Sequence, residues 1–114
     1  MALNNTKLMA TIQVFVDCLA EMKYDELAQI TDTIRMRAEE IEEAINSYPG
    51  MIIPTVRPED LDVIKIDTTK EECWSVNVKL HTNEESPSNL TMLLTLVESE
   101  ASYYNVELDD IHVS

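Results

Sequence analysis

The sequence predicts an α+β fold in which N-terminal helices pack on one face of a four-stranded antiparallel meander sheet. Three observations predict it. Between Cys73 and Val113, apolar residues recur at every second position in three consecutive runs, the period of strands buried on one face. In the first half they recur at three- and four-residue steps, the period of amphipathic helices. Pro49-Gly50 separates the two regimes, because proline cannot continue the helical hydrogen bonding and glycine adopts a left-handed backbone without steric penalty.

The strand runs are explicit. Trp74, Val76, Val78 and Leu80 alternate with Ser75, Asn77, Lys79 and His81, followed by Leu90, Met92, Leu94 and Leu96, then by Tyr104, Val106 and Leu108. Short polar breaks, 83–89 and 98–102, separate them, so hairpins rather than helical crossovers connect the strands. The predicted strands are 62–67, 73–81, 89–97 and 103–113. In the first, Ile64 and Ile66 share one side and Lys65 and Asp67 the other, and 68–72 forms the turn into Trp74. In the last, the apolar positions change from even to odd at Ile111 and Val113; a bulge at Asp109-Asp110 returns both sets to one face and turns His112 outward.

Leu8, Ile12, Phe15, Val16, Leu19 and Met22 form the stripe of a helix over 5–22, capped by Asn4, Asn5 or Thr6. A second helical region, 24–48, is interrupted near Thr31-Asp32-Thr33, whose side chains compete for backbone hydrogen bonds, giving helices near 25–30 and 36–48. From Met51 to Pro58 the chain reads as an extended connection against the core. The expected inward set is Trp74, Val76, Val78, Leu80, Leu94, Leu96, Val106 and Leu108, facing Ile12, Phe15, Leu19, Ile41 and Ile45. With 114 residues, 45% of them hydrophobic, and no linker or repeat, residues 1–114 are one domain, helical over 1–50 and sheet over 51–114.

Charge narrows the partners. The chain carries 22 acidic and 8 basic residues, a formal charge of -14 that opposes contact with nucleic acid or anionic lipid and favours a basic protein. The start lacks the basic-then-apolar order of a secretory leader, no run reaches the ~20 apolar residues of a membrane span, and Cys18 and Cys73 lack metal-ligand spacing. These features predict a cytoplasmic protein with reduced thiols.

Catalytic signatures are sparse. A chain whose one glycine ends a helix has no Gly-rich phosphate loop, dinucleotide fingerprint or Gly-x-Ser-x-Gly nucleophile turn. His81, Glu84, Glu85, Asp109, Asp110 and His112 would form an acid–base pair or a metal site only if the hairpin and the chain end meet; the reading favoured here is solvated charge at strand ends. Cys73 has no basic neighbour in sequence to activate it, Trp74 belongs to the core, and Tyr103, on the opposite parity to Tyr104, is the exposed aromatic. No catalytic residue, metal or cofactor is expected.

Tyr24-x-x-Leu27-Ala28, Ala38-Glu39-Glu40-Ile41-x-x-Ala44-Ile45-x-x-Tyr48, Trp74-Ser75-Val76-x-Val78-x-Leu80, Glu84-Glu85-x-x-Ser88-x-Leu90-Thr91 and Asp109-Asp110-x-His112-Val113 occur in this order. The series resembles a family of small bacterial domains of unknown function, over roughly residues 24–113. The resemblance leaves activity open, since that family has no assigned catalytic residues. Against the family pattern, His81 stands at a usual Trp, Ser86 at a usual Gly and Asn89 at a usual Asp.

Acidic clusters recur at Glu59-Asp60-x-Asp62, Glu71-Glu72, Glu84-Glu85 and Glu107-x-Asp109-Asp110, a field that steers basic partners. By analogy of class and charge, the expectation is a non-catalytic acidic binding protein, an immunity protein that neutralises a basic, nuclease-like bacterial toxin. Its expected partner-binding residues are Glu84, Glu85, Tyr103, Glu107, Asp109 and His112. The alternatives are an α+β domain with a small-ligand or housekeeping role, a nucleic-acid mimic with two rows of carboxylates, or a weak metal-dependent hydrolase. Oligomeric state is open at this level.

Overall fold

The computed structural model describes residues 3–31, 33–34, 36–67 and 72–113. The elements are α1 (Asn5–Ala20), α2 (Tyr24–Gln29), β1 (Thr33–Ile34), α3 (Ala38–Asn46), a 3-10 turn (Pro58–Asp60), β2 (Leu61–Ile66), β3 (Cys73–Lys79), β4 (Leu90–Val97) and β5 (Asn105–Val113). Helices from the first half lie on an antiparallel sheet, as predicted. The sheet order is β1-β5-β4-β3-β2. The four long strands form the meander, and β1 adds a two-residue parallel edge by pairing Thr33 with Glu107 and Ile34 with Leu108.

The register makes one inner and one outer face. Leu61, Val78, Met92 and Ile111 form one inner row, Val63, Val76, Leu94 and Leu108 the next, and Lys65, Trp74, Leu96 and Val106 the third. Every residue of the expected inward set is buried, together with Ile12, Phe15, Leu19, Ile41 and Ile45 from the helices. In β2 the residues packed against the core are Leu61 and Val63, while Ile64, on the outer face, is exposed. The bulge lies where parity placed it: Leu93 pairs with Asp110 and Leu94 with Leu108, which leaves Asp109 as the extra residue. It carries Ile111 inward, but Val113, expected beside it, is 58% exposed at the last pair of the ladder.

Asn4 caps α1 by accepting the Lys7 N–H at 3.0 Å. The helix stops two residues short of the predicted Met22. Lys23 N–H bonds the Cys18 carbonyl at 2.8 Å and Met22 N–H that of Leu19 at 3.2 Å, a Schellman closure with Met22 at φ 59°. Glycine ordinarily marks that position, and none stands here to signal it. The turn expected at 68–72 lies almost wholly outside the described residues.

The start of α1 is fastened to the β4–β5 connection. Lys7 Nζ donates to Glu98 Oε1 at 2.7 Å and to the Ser99 carbonyl at 2.6 Å, and sits 4.5 Å from the Tyr104 ring centroid. Tyr104 in turn meets Trp74 edge-on, with centroids 5.4 Å apart. Trp74→Ala removes the largest side chain of the inner face, and unfolding in urea is expected to show a loss of about 3–5 kcal/mol, a large part of the ~5–15 kcal/mol of a typical domain.

The hydrogen bond from Lys7 holds the Glu98 carboxyl below its ordinary pKa. A depressed folded-state pKa gives stability that is present above the unfolded value and lost as pH falls through the folded one. Glu98→Gln is therefore expected to destabilise the protein at neutral pH, and the difference between the two proteins' urea midpoints to shrink as pH is lowered through the carboxylate range.

Candidate functional site

Most of the residues singled out by the sequence lie on two surfaces beyond the core: the outer face of the sheet, and the loop between β3 and β4. Because successive strand side chains alternate, the outer face is as well defined as the inner one. Its rows are Lys79, Thr91 and His112; Asp62, Asn77, Leu93 and Asp110; Ile64, Ser75, Thr95 and Glu107; and Ile66, Cys73, Val97 and Asn105. The buried stripes of the helices belong to the inner core, and Asp62, Ile64, Lys79, Asn105 and Asp110 of the outer face are exposed. Glu107, Asp109 and Asp110 line β5, where Thr95 donates to Asp109 Oδ2 at 2.6 Å and His112 Nδ1 lies 3.2 Å from Asp110 Oδ2. A shallow depression of about 230 Å³ runs from Glu59 and Asp62 past Asn77, Lys79 and Thr91 to His112.

The expected binding residues do not all share this face. Glu107, Asp109 and His112 do. Glu84 and Glu85 stand on the β3–β4 loop, at the end of the sheet where β5 finishes. Tyr103 is exposed as expected, but its parity opposite to Tyr104 does not carry it to the outer face: it lines a groove with Thr11, Val14 and Phe15 of α1 and with Ile30. It precedes β5, so strand alternation does not govern its direction.

The loop is built from short polar contacts. Thr82 Oγ1 accepts the N–H of Glu85 at 2.9 Å and that of Glu84 at 3.3 Å, while Thr82 N–H bonds the Glu85 carbonyl at 2.8 Å. Ser88 returns to the Leu80 carbonyl through both its N–H and its hydroxyl. Tyr48, following α3, donates to Glu85 Oε1 at 2.5 Å and accepts the Asn89 N–H at 3.1 Å, and the bond to Glu85 raises the phenol's pKa. The chain before β2 also lies on the loop: Ile52 bridges Thr82, and Met51 exchanges bonds with Asn83.

His81 departs most from the sequence reading. It was expected on the solvated side of the strand, and it is fully buried. β3 ends at Lys79, so the alternation that would turn His81 outward no longer applies. Its Nε2 lies 2.6 Å from Oδ2 of Asp60, itself 4% exposed, and its Nδ1 lies 2.5 Å from Oγ of Ser86, which is exposed. Asp60 Oδ2 also accepts the Arg57 N–H at 2.9 Å, closing the 3-10 turn. His81 thus joins Asp60 and Ser86 rather than Asp110 and His112. Two of the three departures from the resembled pattern, His81 and Ser86, are bonded to each other. A buried imidazole in place of an indole needs a second partner, and the hydroxyl supplies it.

Among the described residues, no group of three or more His, Cys, Asp or Glu side chains is placed to hold a metal ion, and no helix is long and apolar enough to cross a membrane. Cys73 is buried, and burial followed by the Glu26 carboxylate pushes the Cys18 thiol above its ordinary pKa.

Fold and surface together define a small acidic α+β domain with one covered and one open sheet face. The chain belongs to the family described as Domain of unknown function (DUF7668), whose model matches residues 16–114. No curated protein and no solved structure matches it.

Gly50, at φ +91°, lies directly under the loop. A Cβ there would stand 2.9 Å from Asn83 Oδ1 and 3.0 Å from Glu84 Oε2. Gly50→Ala is expected to lose about 1–3 kcal/mol of stability in urea titration, with hydrogen exchange accelerated first at the amides of Thr82, Asn83 and Glu85.

Proposed function

We propose that this chain is an acidic binding protein, and specifically an immunity protein that neutralises a basic, nuclease-like bacterial toxin by direct contact. The observation that carries the reading is the open outer face of the sheet. Leu93, Thr95 and Ile64 offer short-range packing there, and Asp62, Glu107, Asp109 and Asp110 surround them with negative charge. A cationic cleft is its electrostatic complement: opposite fields speed encounter, and the apolar middle slows release. Glu84 and Glu85 extend the field beyond the sheet end. A chain in this role acts in the cytoplasm of the cell it protects.

A nucleic-acid mimic needs two rows of carboxylates spaced like phosphates. Three carboxylates of the outer face stand on β5 and one, Asp62, on β2 at the far side, an arrangement that suits a basic protein patch better.

The test is capture of the partner by the intact protein and by a Glu107→Lys, Asp110→Lys double variant, followed by expression of the captured protein alone and with this chain. The expected partner is basic and toxic by itself, and loses its toxicity on co-expression. The double variant is expected to associate at least about tenfold more slowly at low salt, a difference that narrows as salt shortens the ~8 Å screening length of physiological solution. Recovery of only neutral or acidic partners, or association rates indifferent to salt and to the reversals, would remove the reading.

A further inference from the structure

We propose that Asp60, His81 and Ser86 form a carboxylate–imidazole–hydroxyl array that makes Ser86 an acyl-accepting nucleophile toward small neutral or cationic esters, an activity independent of the docking surface. The order of contacts is carboxylate, imidazole, hydroxyl. Asp60 Oδ2 lies 2.6 Å from His81 Nε2, and His81 Nδ1 lies 2.5 Å from Ser86 Oγ. The Asp60 oxygen already accepts the Arg57 N–H at 2.9 Å, with Arg57 Nε 3.7 Å away, so it is held as an acceptor. Nε2 must then donate to it, which leaves Nδ1 of the neutral ring as the acceptor of the Ser86 hydroxyl proton. That is the protonation pattern a general base needs beside a nucleophile, with the ring's two nitrogens exchanged relative to the familiar serine hydrolases.

Burial separates the roles. His81 is fully buried and Asp60 is 4% exposed, so water does not compete for the carboxylate–imidazole bond, whereas Ser86 lies at the surface. The Ser86 N–H has no protein acceptor among the described residues and is available to a developing oxyanion; Pro87, which follows, has no N–H to offer. Glu84 and Glu85 precede Ser86 in the chain, which carries a formal charge of -14, and this disfavours anionic substrates.

The chemistry balances as ester hydrolysis. Ser86 Oγ bonds to the acyl carbon while its proton passes to His81 Nδ1, and that proton then leaves with the alcohol as the ester C–O bond breaks. Water, deprotonated by the same nitrogen, attacks the acyl-serine, and the carboxylic acid departs as the proton returns to Oγ. Asp60 acts through His81 as a positioning residue.

The test uses an uncharged alkyl fluorophosphonate, which bonds to an activated serine oxygen with loss of fluoride, and a short-chain aryl acetate as substrate. Mass spectrometry is expected to place one phosphonyl group on Ser86 of the folded protein, and Ser86→Ala to abolish both labelling and acetate hydrolysis. Asp60→Asn, checked for folding by circular dichroism, is expected to slow labelling at least about tenfold. Should that variant not fold, the comparison becomes wild-type protein with and without urea, where an ordinary serine reacts alike in both states. No labelling, labelling at another residue, or equal labelling of Ser86 in Asp60→Asn or in urea would overturn the proposal.

Discussion

One layer of helix covers one face of a sheet, and the rest of this structure follows from that limit. The first 50 residues provide three helices whose apolar stripes meet the even-numbered side chains of β3 and β4 and the matching positions of β5. Burying that face drives folding, with a contribution that scales with the apolar area removed from water. The opposite face receives no second layer from the described helices. It must be soluble by itself or be covered by something else, and its mixture of Leu93, Ile64 and Thr95 with Asp62, Glu107, Asp109 and Asp110 serves either state.

The sheet is fastened at its two ends by different chemistry. At the β4–β5 end, Lys7 joins a carboxylate, a carbonyl and an aromatic ring, tying α1 to the meander across more than 90 positions of sequence. At the β3–β4 end the tie is a buried polar array, in which Asp60 from the 3-10 turn and Ser86 from the hairpin loop meet on His81. A buried imidazole without both partners would leave an unsatisfied group in a low-dielectric setting, so the array specifies the positions of turn and loop together. The same completeness of bonding is what orients a ring nitrogen toward an exposed hydroxyl.

Net charge acts on a longer scale. Acidic residues dispersed over the helices, turns and outer face repel one another at neutral pH, and the chain tolerates this because most of them are exposed to water. Where a basic group is bonded to a carboxylate the fold also lowers its pKa: Glu98 beside Lys7, Glu40 beside Arg37, and Glu72 with Lys65 among its neighbours.

Sequence by itself determined the inward face, because a period of two leaves only one assignment of Trp74, Val76, Leu94 and Val106. It also determined the bulge, since a change of parity within one strand has few other solutions, and the end of the helical half, where Pro49 and Gly50 coincide. Tertiary structure alone decided what lies where periodicity stops. His81 follows the last paired residue of β3, so its alternating position predicted solvent while contacts with residues 21 positions before and five after placed it in the interior. Tyr103 precedes the first paired residue of β5, and it lines a groove beside α1 instead of the outer face. The pairing of Thr33 and Ile34 with β5 was equally hidden, because two residues carry no period and a parallel edge contact depends on where the helices bring the chain. Local pattern reports which face a residue shares with its near neighbours in sequence, whereas the meeting of distant polar groups is settled only when the chain is packed.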